Sequence, residues 1–225
     1  MTDSRSLRAW GSLGGLAFVV LFVLGNILIF DGPNGDEAPA KYTSFYGDSG
    51  NRDKISIGWI LAGLGLFAFI WFVATLRDTV RTSDATAGRD GVLGFVVTVG
   101  GAAYAATAMG AVGLAVGSRT MSDDTYQHRV YSEVIHGFND ATYMMHVTGT
   151  AALSAMILAF SIAVLASRVL PRWLGWFGIV AAIAALASVM FVTMAVWLLW
   201  IAAISVVLFM QARSTARPLA ASTTA

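Results

Sequence analysis

The sequence predicts an all-α fold, a polytopic transmembrane helix bundle of six spans with both termini in the cytoplasm. Three observations lead there. The 225 residues are 57% hydrophobic and only 12% charged, too apolar to surround a soluble core with polar surface. The apolar residues are gathered into long runs, and about 20 consecutive residues cross the hydrocarbon layer. The arginines fall in alternate gaps between those runs, as they do when loops alternate between two sides of a membrane.

The first span covers residues 10–30. Arg5 and Arg8 precede it as they would a secretory signal, but the apolar core of a signal is about 7–15 residues long. The Ala38-Pro39-Ala40 pattern lies well downstream with proline inside it, so the segment is expected to stay as a span. The second span covers 55–76, the third 92–117 and the fourth 141–166. The run from Leu174 to Met210 carries no charge and no proline. A single helix of that length would reach about 55 Å, so two are expected, 174–191 and 194–211. Their turn is placed near Phe191-Val192-Thr193-Met194, at an interface or against protein, because an exposed turn inside lipid leaves backbone groups unpaired.

Orientation follows from positive charge. Arg5, Arg8, Arg77, Arg81, Arg89, Arg168, Arg172, Arg213 and Arg217 fall in one set of gaps, against Lys41, Arg52, Lys54, Arg119 and Arg129 in the other. The first set therefore belongs inside. Asp31, Asp36, Glu37, Asp48, Asp53, Asp123, Asp124, Glu133 and Asp140 lie on the other side. Trp10, Trp71, Trp173 and Trp176 would mark the inner interface, and Trp59 and Trp197 the outer one. Residues 213–225, rich in Ser, Thr and Ala, are expected to be a disordered cytoplasmic tail.

Each of the two long outer segments is expected to hold a short interfacial helix, the pair forming a lid. In the first, Asp36 and Glu37 precede Pro39, a helix-start pattern, and Tyr42, Phe45 and Tyr46 share one helical face. In the second, Ser122 or Asp123 would cap a helix carrying Tyr126, Val130, Tyr131 and Ile135. Gly11/Gly15 and Gly113/Gly117 are small-xxx-small pairs, and the glycine-rich third span is expected at the centre of the bundle.

Several stretches resemble a known pattern. Phe45-Tyr46-x-Asp48-x-x-Asn51-Arg52 leads into the second span, and Trp71-Phe72-x-x-x-Leu76-Arg77 with Arg81 leaves it. Asn139-Asp140 opens the fourth span and Leu170-Pro171-Arg172-Trp173-Leu174-Gly175-Trp176 the fifth. Over residues 10 to 212 the chain resembles an uncharacterised family of small actinobacterial integral membrane proteins. The resemblance implies six helices and a bacterial plasma membrane, and no activity. Independently of it, Arg172 suits an anionic inner surface, and Trp173 and Trp176 suit the headgroup level as anchors.

Intramembrane polar groups are the functional clue, because they are costly in lipid and turn inward. His146 is the one ionisable residue well inside a span, and Tyr143, His146, Thr150, Ser154 and Ser161 form a helical stripe. Asn26 lies at comparable depth in the first span, and Trp197 and Trp200 approach it from the sixth. A ligand pocket of Asn26, Tyr143, His146, Thr150, Trp197 and Trp200 is the resulting expectation, against a purely structural interhelical hydrogen bond worth about 0.6–2 kcal/mol. Glu133, His136 and Asp140 would share one face and could hold a divalent ion if the helix persisted, but Gly137 and an Asp140 N-cap predict a break.

Several chemistries lack their residues. There is no cysteine, which removes disulfides and thiolate sites. No Gly-x-Ser-x-Gly elbow, second Glu-x-x-His, phosphate loop or dinucleotide fingerprint occurs, so no cofactor is expected. A net charge of +1 with dispersed arginines gives no nucleic-acid footprint. The expected partners are the lipid bilayer and either an envelope protein or a second copy. The reading is a non-enzymatic multi-pass protein that senses a small ligand or lipid, or serves as an accessory subunit. The alternatives are a small transporter or channel, and a metal-dependent membrane enzyme with its site at the outer face.

Overall fold

A computed structural model describes residues 4–33, 37–81, 90–120, 122, 131–188 and 191–214. Among these there are seven helices and no strand: α1 (Ser4–Ile29), α2 (Pro39–Gly47), α3 (Ser49–Arg81), α4 (Asp90–Thr120), α5 (Ser132–Ser167), α6 (Arg172–Leu186) and α7 (Phe191–Ser214). α1, α3, α4, α5 and α7 are long and apolar enough to cross a membrane. α6 is apolar but has 15 residues, a rise of about 22 Å against a hydrocarbon thickness of about 30 Å.

The six long-axis helices form a closed ring in chain order. α1 packs on α3, α3 on α4, α4 on α5, α5 on α6, α6 on α7, and α7 returns to α1. The expectation that the third span is central is therefore corrected: α4 is one of six wall helices. Gly100 does let α4 approach α5 closely, since a Cβ there would lie 2.6 Å from the Ala152 carbonyl oxygen. Around Gly113 there is open space, so that member of the small-residue pattern faces no helix. Large side chains fill the axis instead: Phe18, Phe69, Tyr104 and Trp197 are all fully buried, one each from α1, α3, α4 and α7. The tightest backbone seam joins α1 to α3, where a Cβ on Gly14 would sit 2.5 Å from the Ala68 oxygen and one on Gly25 2.6 Å from the Gly58 oxygen.

α2 begins with Pro39 in its first turn, as expected, and buries Tyr42 and Tyr46 with Phe45 half-buried beside them. The corner from α2 to α3 explains the Phe45-to-Arg52 pattern physically. Asp48 Oδ1 accepts from the Asn51 backbone N–H at 3.0 Å, capping α3. Asn51 Nδ2 donates to the Phe45 carbonyl, and the buried Arg52 donates through Nη1 to the carbonyls of Tyr46 at 2.8 Å and Gly47 at 2.9 Å. The last carbonyls of α2, unpaired by the helix itself, are thus satisfied from α3.

α5 overturns the predicted break. It runs unbroken for 36 residues through Gly137, Asn139 and Asp140, so Asp140 is a helix-interior residue and no N-cap. Glycine in a helix costs about 1 kcal/mol. Fully buried Ile135, packed with Tyr42, Tyr46 and Ile55, returns about 1.5–3 kcal/mol. Tyr126, Val130, Asp123 and the rest of residues 123–130, where the second lid helix was expected, lie outside the described residues, as do 215–225.

The turn between the last two helices also moves. α6 ends at Leu186 and α7 already begins at Phe191, ahead of the predicted Phe191-to-Met194 turn. Thr193 is helical, and its hydroxyl reaches back to the Ala187 carbonyl at 3.0 Å, closing the end of α6. At the far end of α6, Pro171 stands immediately before the first helical residue, Arg172, and Trp173 and Trp176 point outward from the bundle, 55% and 60% exposed.

Candidate functional site

Three adjoining cavities, which share lining residues, lie at the α2 end of the ring. The widest, about 240 Å³, is walled by Tyr42 and Tyr46 of α2, by His136, Asn139, Asp140 and Tyr143 of α5, and by the end of α1. A neighbour of about 220 Å³ shares Tyr42 and His136 and adds Glu37 and Glu133. Beneath them a pocket of about 10 Å³ shares Ile29, Phe30, Ala115 and Thr142 with the first and reaches Phe22, Asn26 and His146. That is room for about one water. The three make a funnel that narrows from the α2 end towards His146.

The expected meeting of Asn26 and His146 is present in this sense: both line the narrow pocket. They do not pair through the Asn26 amide nitrogen, which donates to the Phe22 carbonyl of its own helix at 2.7 Å. His146 lies against Phe22, ring centroids 5.8 Å apart, and edge-on to Tyr104 at 6.4 Å. Tyr104 in turn meets Phe18, Phe69 and Trp197 at 6.4, 5.5 and 6.0 Å. One α4 side chain therefore touches rings from α1, α3, α5 and α7.

This cluster is polar and incompletely satisfied. His146 Nε2, Thr142 Oγ1, Tyr104 Oη and Trp197 Nε1 are each shielded from solvent and have no hydrogen-bond partner among the described residues. An orphaned buried donor or acceptor costs about 1–3 kcal/mol, and of these four residues Thr142 and His146 line the narrow pocket. Tyr104 and Thr142 were not predicted as site residues. Tyr104 carried a legible signal, a single phenol amid the glycine and alanine of the third span. Thr142 carried none, because a hydroxyl near a span's end is ordinary.

The other predicted pocket residues divide. Tyr143 walls the wide cavity. Thr150 is buried and donates to the Val147 carbonyl of its own helix at 2.6 Å. Trp197 is fully buried against Tyr104, inside the bundle. Trp200 donates from Nε1 to the Leu174 carbonyl at 3.1 Å and stands edge-on to Phe160, tying α7 to α6 and α5 away from the cavities. Within the polar stripe, Ser154 also crosses helices, donating to the Ala182 carbonyl of α6 at 2.8 Å.

At the mouth, His136 stacks on Tyr42 with centroids 5.9 Å apart and places Nε2 3.5 Å from Asp140 Oδ2. Because α5 is continuous, Glu133, His136 and Asp140 do share a face. They do not converge as ligands: among the described residues no three His, Asp or Glu side chains gather closely enough to hold a metal ion. Glu133 accepts from the Ser132 hydroxyl, and Glu37 is paired with Lys41. Burial raises the pKa of the Tyr46 phenol above its ordinary value, and a hydrogen bond with the Asn139 side chain opposes that rise. Compared with family models, curated proteins and solved structures, the chain matches none of them.

Proposed function

We propose that this is a six-span protein of a bacterial plasma membrane, both termini cytoplasmic, that binds a small ligand from the outer face without transforming it. The orientation rests on the arginine distribution. The family resemblance, with its six helices, argues the same way. α6 acts as the sixth span despite its length, because it completes the ring between α5 and α7 and a short span is accommodated by local thinning of the bilayer.

The observation that carries the ligand reading is the funnel narrowing onto His146 Nε2 and Thr142 Oγ1, two buried polar atoms without partners. A ligand that inserts a hydrogen-bonding group there repays their desolvation. Its outer part meets Tyr42, Tyr46, Tyr143 and the Asp140 carboxylate, a lining that favours a neutral or cationic group over an anion.

The absence of cysteine makes the test direct. Single Thr142→Cys and His146→Cys variants are exposed to a membrane-impermeant thiol reagent in sealed vesicles of each orientation. Labelling at Thr142→Cys from the outer face alone supports the reading, and protection of that cysteine by a small amine would identify the ligand class. No labelling from the outer face sinks it. A transporter is the second reading, favoured by Tyr104 Oη and Trp197 Nε1, orphaned polar atoms that continue along the axis beyond the pocket. Labelling from both faces would select it.

A further inference from the structure

At the opposite end of the ring, away from the funnel, a cleft of about 560 Å³ lies between α3 and α4. Its polar rim is Arg77 and Arg81, four residues apart on α3, and its floor and wall are Gly91, Gly94, Phe95, Thr98 and Val99 of α4. We propose that this cleft is a binding site for one anionic phospholipid, its phosphate held by the two guanidinium groups and an acyl chain lying along Phe95 and Val99.

Three features fit that occupant. The rim arginines sit one helical turn apart, and both are exposed, so their forked donors can meet one phosphate from two directions. Among the described residues no carboxylate lines the cleft, and its two arginines complement an anion. Gly94 keeps the cleft open: a Cβ there would meet only the Arg77 and Arg81 stems, at 3.9 and 4.0 Å. A larger side chain would occupy the space where a headgroup rests. Phe95 is 67% exposed and Val99 48%, and both belong to a helix apolar and long enough to cross a membrane. The wall that continues from the headgroup site is therefore lipid-facing and apolar, as an acyl chain requires.

The site is tested by native mass spectrometry of the purified protein with phosphatidylglycerol or phosphatidylcholine added in equal amounts. Each basic contact near an anionic surface contributes about five-fold in affinity. Wild type should hold phosphatidylglycerol in preference to phosphatidylcholine, and Arg77→Gln/Arg81→Gln should weaken phosphatidylglycerol about thirty-fold, and phosphatidylcholine, whose ammonium offsets its phosphate, much less. Gly94→Leu keeps both charges and projects into the cleft, and it should also lose the lipid. Equal retention of the two lipids, or unchanged phosphatidylglycerol in both variants, overturns the proposal. Displacement of the lipid by millimolar inorganic phosphate also overturns it, since the cleft would then be a free-phosphate site.

Discussion

Tyr104 of α4 and His146 of α5 meet edge to face, ring centroids 6.4 Å apart, and each buries a polar atom that no described residue pairs. The contact sits where rings from five helices converge, at the narrow end of the funnel.

Tyr104→Phe tests whether the phenol serves stability or binding. Removing an unpaired buried hydroxyl while keeping the ring relieves a desolvation cost of about 1–3 kcal/mol. The ligand-free variant should melt about 2–4 °C higher per kcal/mol recovered. A lower Tm in detergent would mean that the hydroxyl already has a stabilising partner.

Arg52→Met should loosen α2. The substitution keeps much of the apolar stem but removes the donor to the Tyr46 and Gly47 carbonyls, and bonds from a charged donor contribute about 1.5–3 kcal/mol each. Amide hydrogen exchange across residues 39–47 is expected to accelerate by about thirty-fold or more, with α4 and α7 unaffected. Uniform exchange at wild-type rates would show that α2 is held by its buried tyrosines alone.

Alkaline pH should release the same helix. The Tyr46 phenol titrates above its ordinary value of 10.0 in the folded protein because it is buried. A group with a raised folded pKa contributes stability that is complete below the unfolded value and is lost as pH rises through the folded one. Fluorescence or exchange at α2 should therefore hold steady to about pH 10 and change above it, and Tyr46→Phe should abolish that alkaline transition. A transition that persists in the variant belongs to another group.

Two glycines chosen for contrast test the ring's seams. Gly25→Leu drives a side chain into the Gly58 carbonyl and the Ala62 backbone, overpacking that costs about 3 kcal/mol. Gly113→Leu enters open space and should leave thermal unfolding within about 0.5 kcal/mol of wild type. Equal effects at both positions would contradict the assignment of α1–α3 as the tight seam.

Legibility in the sequence followed the range of the interaction. Pro39 starting α2, the Tyr42/Phe45/Tyr46 face and Pro171 before α6 were readable because helix starts and faces are set within a few residues. The break expected at Gly137 and Asp140 was wrong for the same reason. Local signals favoured a cap, while the burial of Ile135 against α2 and α3, invisible in sequence order, kept α5 helical. Asn26 and His146 could be matched by depth, but the Asn26 amide turning back to its own helix depends on side-chain geometry.

By itself the sequence determined that these residues become long apolar helices and that His146 would be buried among them. Apolar length and periodicity act along one chain segment, and a lipid environment leaves the backbone little choice but helix. Only the tertiary structure decided that α7 closes on α1 into a ring and that α4 stands in its wall. The same is true of Tyr104, Thr142, His146 and Trp197, whose unpaired polar atoms gather in one cluster. Those outcomes depend on which helix faces approach closely enough to exclude one another's side chains, and that is settled by packing between segments up to two hundred residues apart.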